Sequence, residues 1–79
     1  MKFERMPKIA GLDLWGAIKG DFTFTISKDP ETGHYSASAK RIGAKPFDNT
    51  RIDLPAYDAH ASMDSAIQAC KDYYREHNN

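Results

Sequence analysis

From Leu12 to Ile26 every even-numbered position is apolar or glycine: Leu12, Leu14, Gly16, Ile18, Gly20, Phe22, Phe24 and Ile26. The odd positions between them are mostly polar, with Trp15 and Ala17 as exceptions. A period of two puts alternate side chains on opposite faces of a pleated strand, so the pattern specifies a half-buried antiparallel sheet. The stretch exceeds the roughly 3–10 residues of one strand and must turn back, near Lys19-Gly20-Asp21. A three-residue loop there sets Ile18 opposite Phe22, Gly16 opposite Phe24 and Leu14 opposite Ile26, which gathers the apolar side chains on one face. Phe24 then covers the bare backbone at Gly16, and Trp15 falls on the solvent side. A two-residue loop that brings Ile18 beside Asp21 mixes the faces instead. The helical spacing Ile9, Leu12, Trp15, Ile18 competes with the strand pattern. It includes two glycines, each costing about 1 kcal/mol against alanine in a helix, so strand is the stronger reading.

Downstream the punctuation is clear. Phe22 to Ser27 is rich in strand formers, and Asp29-Pro30-Glu31-Thr32-Gly33 supplies a turn, with Pro30 presetting φ and Gly33 suited to a left-handed position. His34 to Ile42 returns as a strand with Tyr35, Ala37 and Ala39 on one face; the two alanines leave room for a helix to approach closely. Gly43 to Asn49 reads as a loop. Thr50 to Leu54 reads as a short last strand that Pro55 stops. Ser62 is a suitable N-cap, Asp64 sits in the first turn, and Met63, Ala66, Ile67, Cys70, Tyr73 and Tyr74 form one stripe of a helix. Residues 1–8 are charged, include Pro7, and read as a loose arm. The expected fold is α+β: a three- or four-stranded antiparallel meander with one C-terminal helix on one face.

Seventy-nine residues make one domain, and a chain of this length buries only about 60–65% of its unfolded surface. The hydrophobic content of 41% supports a real core. Eleven basic residues balance eleven acidic ones, so no global field draws the protein toward nucleic acid or an anionic membrane. The single cysteine, Cys70, forms no internal disulfide. No apolar run approaches the roughly 20 residues of a membrane span, and Met1 to Pro7 lacks the apolar core of a signal peptide. A cytoplasmic setting is expected.

Chemistry is sparse. Cys70 lies on the apolar stripe, where burial raises a thiol pKa and makes it inert. Asp58-Ala59-His60 sets a carboxylate near an imidazole, an arrangement that more often caps a helix or sits solvated than catalyses. The three histidines, His34, His60 and His77, lack metal-ligand spacing. Gly16 to Gly20 lacks the strand–helix frame of a phosphate loop. No enzyme, metal or cofactor is expected. The densest signal is basic: Lys40, Arg41, Lys45 and Arg51, with Phe47 among them. Phosphate contact with base stacking on Phe47 is one use of such a stretch, and a solvated, aggregation-resistant sheet edge is the other. Trp15 on the odd register offers an interface anchor, or closes the core beneath the N-terminal arm.

The hairpin Ile26-Ser27-Lys28-Asp29-Pro30-Glu31-Thr32-Gly33-His34-Tyr35-Ser36-Ala37 resembles the first hairpin of HicB-type antitoxins. Ser62-Met63-Asp64-Ser65-Ala66-Ile67 resembles the capped helix start of that domain. Residues 43–58 depart from the family's short connecting segment, and no DNA-binding element follows the helix, so operator binding is not carried over. In size and style the chain is also similar to anti-CRISPR proteins, single compact domains that bind and block a larger machine. These likenesses imply a small non-enzymatic inhibitor or regulatory adaptor that docks on a protein or ribonucleoprotein partner. Arg41, Lys45, Phe47 and Arg51 are the first expected contacts and Trp15 the second. Direct nucleic-acid binding through residues 40–51 is the alternative, and a self-associating subunit using a sheet edge is a third class.

Overall fold

The computed structural model describes residues 1–42, 51–54 and 60–77. Five strands, β1 (Glu4–Ile9), β2 (Leu12–Lys19), β3 (Phe22–Lys28), β4 (Tyr35–Arg41) and β5 (Arg51–Asp53), form one antiparallel sheet in the order β1-β2-β3-β4-β5. A single helix, α1 (Met63–His77), packs across β3 and β4 on one face. The α+β meander read from the sequence is therefore the fold. The loop expected at Gly43 to Asn49 lies outside the described residues, as does Pro55.

The N-terminal segment is the first correction. It is not a loose arm: Glu4–Ile9 pairs with β2, and Met1 and Phe3 pack against the core. The tie is a two-residue hairpin at Ala10-Gly11, where both residues have positive φ (54° and 79°). Such a turn matches the right-handed twist of the strands it joins. It is also where Ala10 bears a steric cost that asparagine or glycine would not. Arg5 then pairs with Asp13 at 2.7 Å, fastening the hairpin across its strands.

The second correction is the β2–β3 register. Lys19 pairs with Phe22, so the loop is two residues long, Gly20-Asp21, and not the expected three. Gly20 takes φ 58° at the first central position, where a glycine is favoured in two-residue hairpins. This places Trp15 opposite Ile26 and Ala17 opposite Phe24, while Gly16 and Ile18 face Thr25 and Thr23. The odd residues of β2 therefore join the helix side. Trp15 is half-buried against the core, not on the solvent side as the sequence pattern implied. Gly16 is covered by the Met6 side chain from β1, not by Phe24.

The core lies between sheet and helix. Phe22, Phe24 and Ile26 of β3, Ala37 and Ala39 of β4, Leu54, and Ala66 and Cys70 of α1 form its buried cluster. Ala66 and Cys70 are four residues apart and stack on the same helix face. They meet a strand whose inward residues are alanines, so helix and sheet approach closely. Tyr73 and Tyr74 close the C-terminal end of the helix edge-on against Phe22, at 5.5 and 6.4 Å between centroids. At the other end Ser62 Oγ accepts the Ser65 N–H at 3.1 Å, the expected N-cap.

Two stability measurements check this packing. Ala39→Leu should overfill the helix–sheet gap and cost about 1–3 kcal/mol in denaturant unfolding. Ala10→Asn should relieve the turn and stabilise by about 0.5–1 kcal/mol, raising the melting temperature by several degrees.

Candidate interaction surface

Two of the side chains weighed for chemistry, Cys70 and His60, are buried. Cys70 is fully buried, and burial pushes its thiol from 9.0 up to about 12. His60 is buried beside the start of α1. Its Nδ1 is hydrogen-bonded to Ser65 Oγ at 2.8 Å, and its backbone forms a bridge with Tyr35. Asp58 lies outside the described residues. His34 is exposed in the β3–β4 loop, and His77 stacks on Tyr73 at 4.1 Å in the last turn of α1. Among the described residues no three His, Cys, Asp or Glu side chains gather to hold a metal ion.

The expected basic contacts do not share one face: Arg41 lies in the row of Phe22 on the helix side, and Lys40 lies in the neighbouring row on the other side. Arg41 ends β4, where its guanidinium lies over the Phe22 ring at 4.7 Å. Lys19 ends β2 in the same cross-strand row, with its ammonium 5.8 Å from the Tyr74 centroid. Lys40 pairs with Arg51, so both belong to a row that also contains Thr23 and Ile18. Lys45 and Phe47 lie outside the described residues. Trp15 sits at the opposite end of the sheet, 6.0 Å from Tyr35, with Arg5 over its ring at 5.6 Å. It does not share a surface with Arg41.

The feature missed in the sequence is aliphatic. Ile18 and Ile42 are 72% and 53% exposed. The Ile42 N–H donates to the Asp21 carbonyl at 2.7 Å, so it extends the β3–β4 ladder past Arg41. Strand alternation then puts Ile42 on the same face as Lys40 and Ile18, away from α1. Ile18 and Lys40 are two strand spacings apart, about 10 Å. The result is a patch of two isoleucines around a lysine at one end of the open sheet face. Ile18 carries the signal in the sequence only once the turn is placed correctly.

A second surface lies on the helix side. A cleft of about 610 Å³ runs between α1 and β5, with Ile52, Leu54, Ala69 and Tyr73 forming its apolar lining and Asp72 and Glu76 on its helical wall. Ile52 remains 41% exposed there.

Comparison with known proteins gives no match: no family model, no curated protein and no solved structure is similar to this chain. Among the described residues no helix is long and apolar enough to cross a membrane.

The buried thiol has a measurable consequence. Between pH 9 and 12 the unfolded chain loses the Cys70 proton while the folded protein keeps it, so stability falls as pH rises through that window. The slope from this group approaches about 1.4 kcal/mol per pH unit. Stability–pH curves of wild type and Cys70→Ala should diverge by that slope above pH 9 and run parallel below it.

Proposed function

We propose that this chain is a non-enzymatic binding protein, an inhibitor or regulatory adaptor that docks on a protein or ribonucleoprotein partner. The observation that carries this reading is the exposed pair Ile18 and Ile42 around Lys40, with Arg41 at the same end of the sheet. An exposed isoleucine loses free energy in water and recovers it against another apolar surface, by about 25 cal/mol for each Å² buried. Aliphatic side chains do not present the flat π-face on which a nucleic-acid base stacks. The patch therefore suits a protein surface that offers an acidic group to Lys40 and apolar positions on either side of it for Ile18 and Ile42. Blocking or regulating a larger partner by surface occupation needs nothing more than such a patch. It is the mode of action that the likeness to HicB-type antitoxins and anti-CRISPR proteins implies.

Affinity capture from the source organism tests the reading, with tagged wild type compared against an Ile18→Asp/Ile42→Asp variant. Both isoleucines are exposed, so the variant should fold with an unchanged melting temperature. A protein partner should survive nuclease and a wash at about 0.5 M salt, because an aliphatic contact lacks the steep salt dependence of phosphate binding. The variant should lose it by at least about tenfold, a difference of about 1.4 kcal/mol. Recovery that disappears with nuclease would instead assign residues 40–51 to nucleic acid. Equal capture by the variant would contradict the patch.

A further inference from the structure

We propose that β1 exchanges between two copies of this chain, so that residues 1–9 of each copy complete the sheet of the other. The exchange takes place at the sheet margin opposite β5 and leaves Ile18, Lys40 and Ile42 in place, so it is independent of the docking reading. The hairpin turn supplies the driving force. Ala10 holds φ 54° and Gly11 φ 79°. An alanine in the left-handed region crowds its Cβ against the following carbonyl oxygen, a cost that extended backbone does not carry. The turn is also only two residues long, and a short hinge under strain favours exchange over closure.

The strand that would leave is lightly held. β1 pairs with β2 and with no other strand among the described residues. Five of its six residues are exposed, Met6 being the exception. Its register shifts between Met6 and Ile9, and Pro7 brings no N–H to the ladder. A segment with so few buried contacts opens well below the free energy of global unfolding.

What is lost on opening is recovered from the second copy. The pairs Glu4–Gly16, Arg5–Trp15 and Met6–Leu14 are all symmetric about position 10. When the turn straightens, β1 and β2 become one long strand, and two such strands pair antiparallel about a two-fold axis beside Ala10. Each pair is then kept with one member from each copy. Arg5 reaches Asp13 and the Trp15 ring of the other copy, and Met6 covers its Gly16. Ala10 and Gly11 join the ladder in extended conformation. The entropy of association opposes the exchange, and concentration offsets it. The competing dimer pairs two closed copies edge to edge along β1. Pro7 and the register shift blunt that edge, and the turn strain would remain.

The test is a sample in which labelled (13C, 15N) and unlabelled chains are mixed in denaturant and refolded together at about 1 mM. Isotope-filtered Overhauser spectra should show contacts between Met6 and Gly16 of different chains, in a species that light scattering places at twice the chain mass. Two turns open per dimer, so relieving the turn acts twice on the dimer constant. Ala10→Asn should therefore weaken dimerisation about tenfold, and Gly11→Val, which disfavours the closed turn, should strengthen it by at least as much. Wild type that stays monomeric, or Met6–Gly16 contacts found only within a chain, would overturn the proposal, and this measurement decides even where Gly11→Val fails to fold. A dimer constant indifferent to Ala10→Asn would overturn it too. The Ile18→Asp/Ile42→Asp variant should exchange normally, so failure here is distinguishable from failure of the docking patch.

Discussion

Side chains alternate along a strand with a period of two, so the turn between β2 and β3 fixes the fate of every residue on β2 and, through it, β1. With Gly20-Asp21 as a two-residue loop, Lys19 faces Phe22 and the odd residues of β2 turn toward the helix. Trp15 and Ala17 then extend the layer made by Phe24 and Ile26, and Arg5 of β1 comes to lie over Trp15. The even residues go to the other face, where Met6 covers Gly16 and packs beside Leu14, leaving Ile18 in water. A one-residue change would invert these assignments. Both candidate surfaces depend on it, since one displays Ile18 and the other requires a helix seated on the opposite face.

The helix is held by small contacts at its centre and large ones at its C-terminal end. Ala37 and Ala39 against Ala66 and Cys70 allow close approach, while Phe22, Tyr73 and Tyr74 interlock edge-to-face where the helix leaves the sheet. Edge-to-face rings add about 0.5–1.5 kcal/mol per pair beyond their buried area. That contribution matters in a domain of this length, whose core is a single layer and whose net stability is a small difference between large terms. The same arrangement seats the helix over β3 and β4.

Much of this was legible in the residues. The β3–β4 hairpin, the N-cap at Ser62, the stripe from Met63 to Tyr74 and the paired alanines of β4 all follow from local chemistry, and all are present. Gly33 takes its left-handed conformation with φ 74°, as the turn composition suggested. The two corrections share a cause. Apolar alternation on β2 and β3 favoured a loop that aligned their even positions, but the conformation of Gly20 favoured a two-residue turn. The turn prevailed because Trp15, Ala17 and Leu14 make both faces of β2 partly apolar, so hydrophobic pattern alone does not choose between them. Ala10 concealed the first hairpin for a related reason: alanine is a poor marker of a positive-φ turn, and without it residues 1–8 read as an arm. The candidate surfaces inherited these errors. Arg41 and Arg51 were visible as a basic stretch, whereas the exposure of Ile18 and Ile42 and the cleft beside α1 are products of register and helix placement.

The register is open to direct observation. Hydrogen bonding between Ile42 and Asp21 directs the even residues of β3 toward β2, which makes Ile18–Thr23 and Gly16–Thr25 the non-hydrogen-bonded pairs. In such pairs the α-carbons lie about 4.5 Å apart, and their α-protons are in close contact. Cross-strand Hα–Hα nuclear Overhauser effects in a labelled sample therefore decide the matter. The account predicts strong effects between Ile18 and Thr23 and between Gly16 and Thr25. Effects between Ala17 and Thr23 and between Trp15 and Thr25 would instead establish the three-residue loop, return Trp15 to solvent and bury Ile18, and the proposed docking patch would fall with that result.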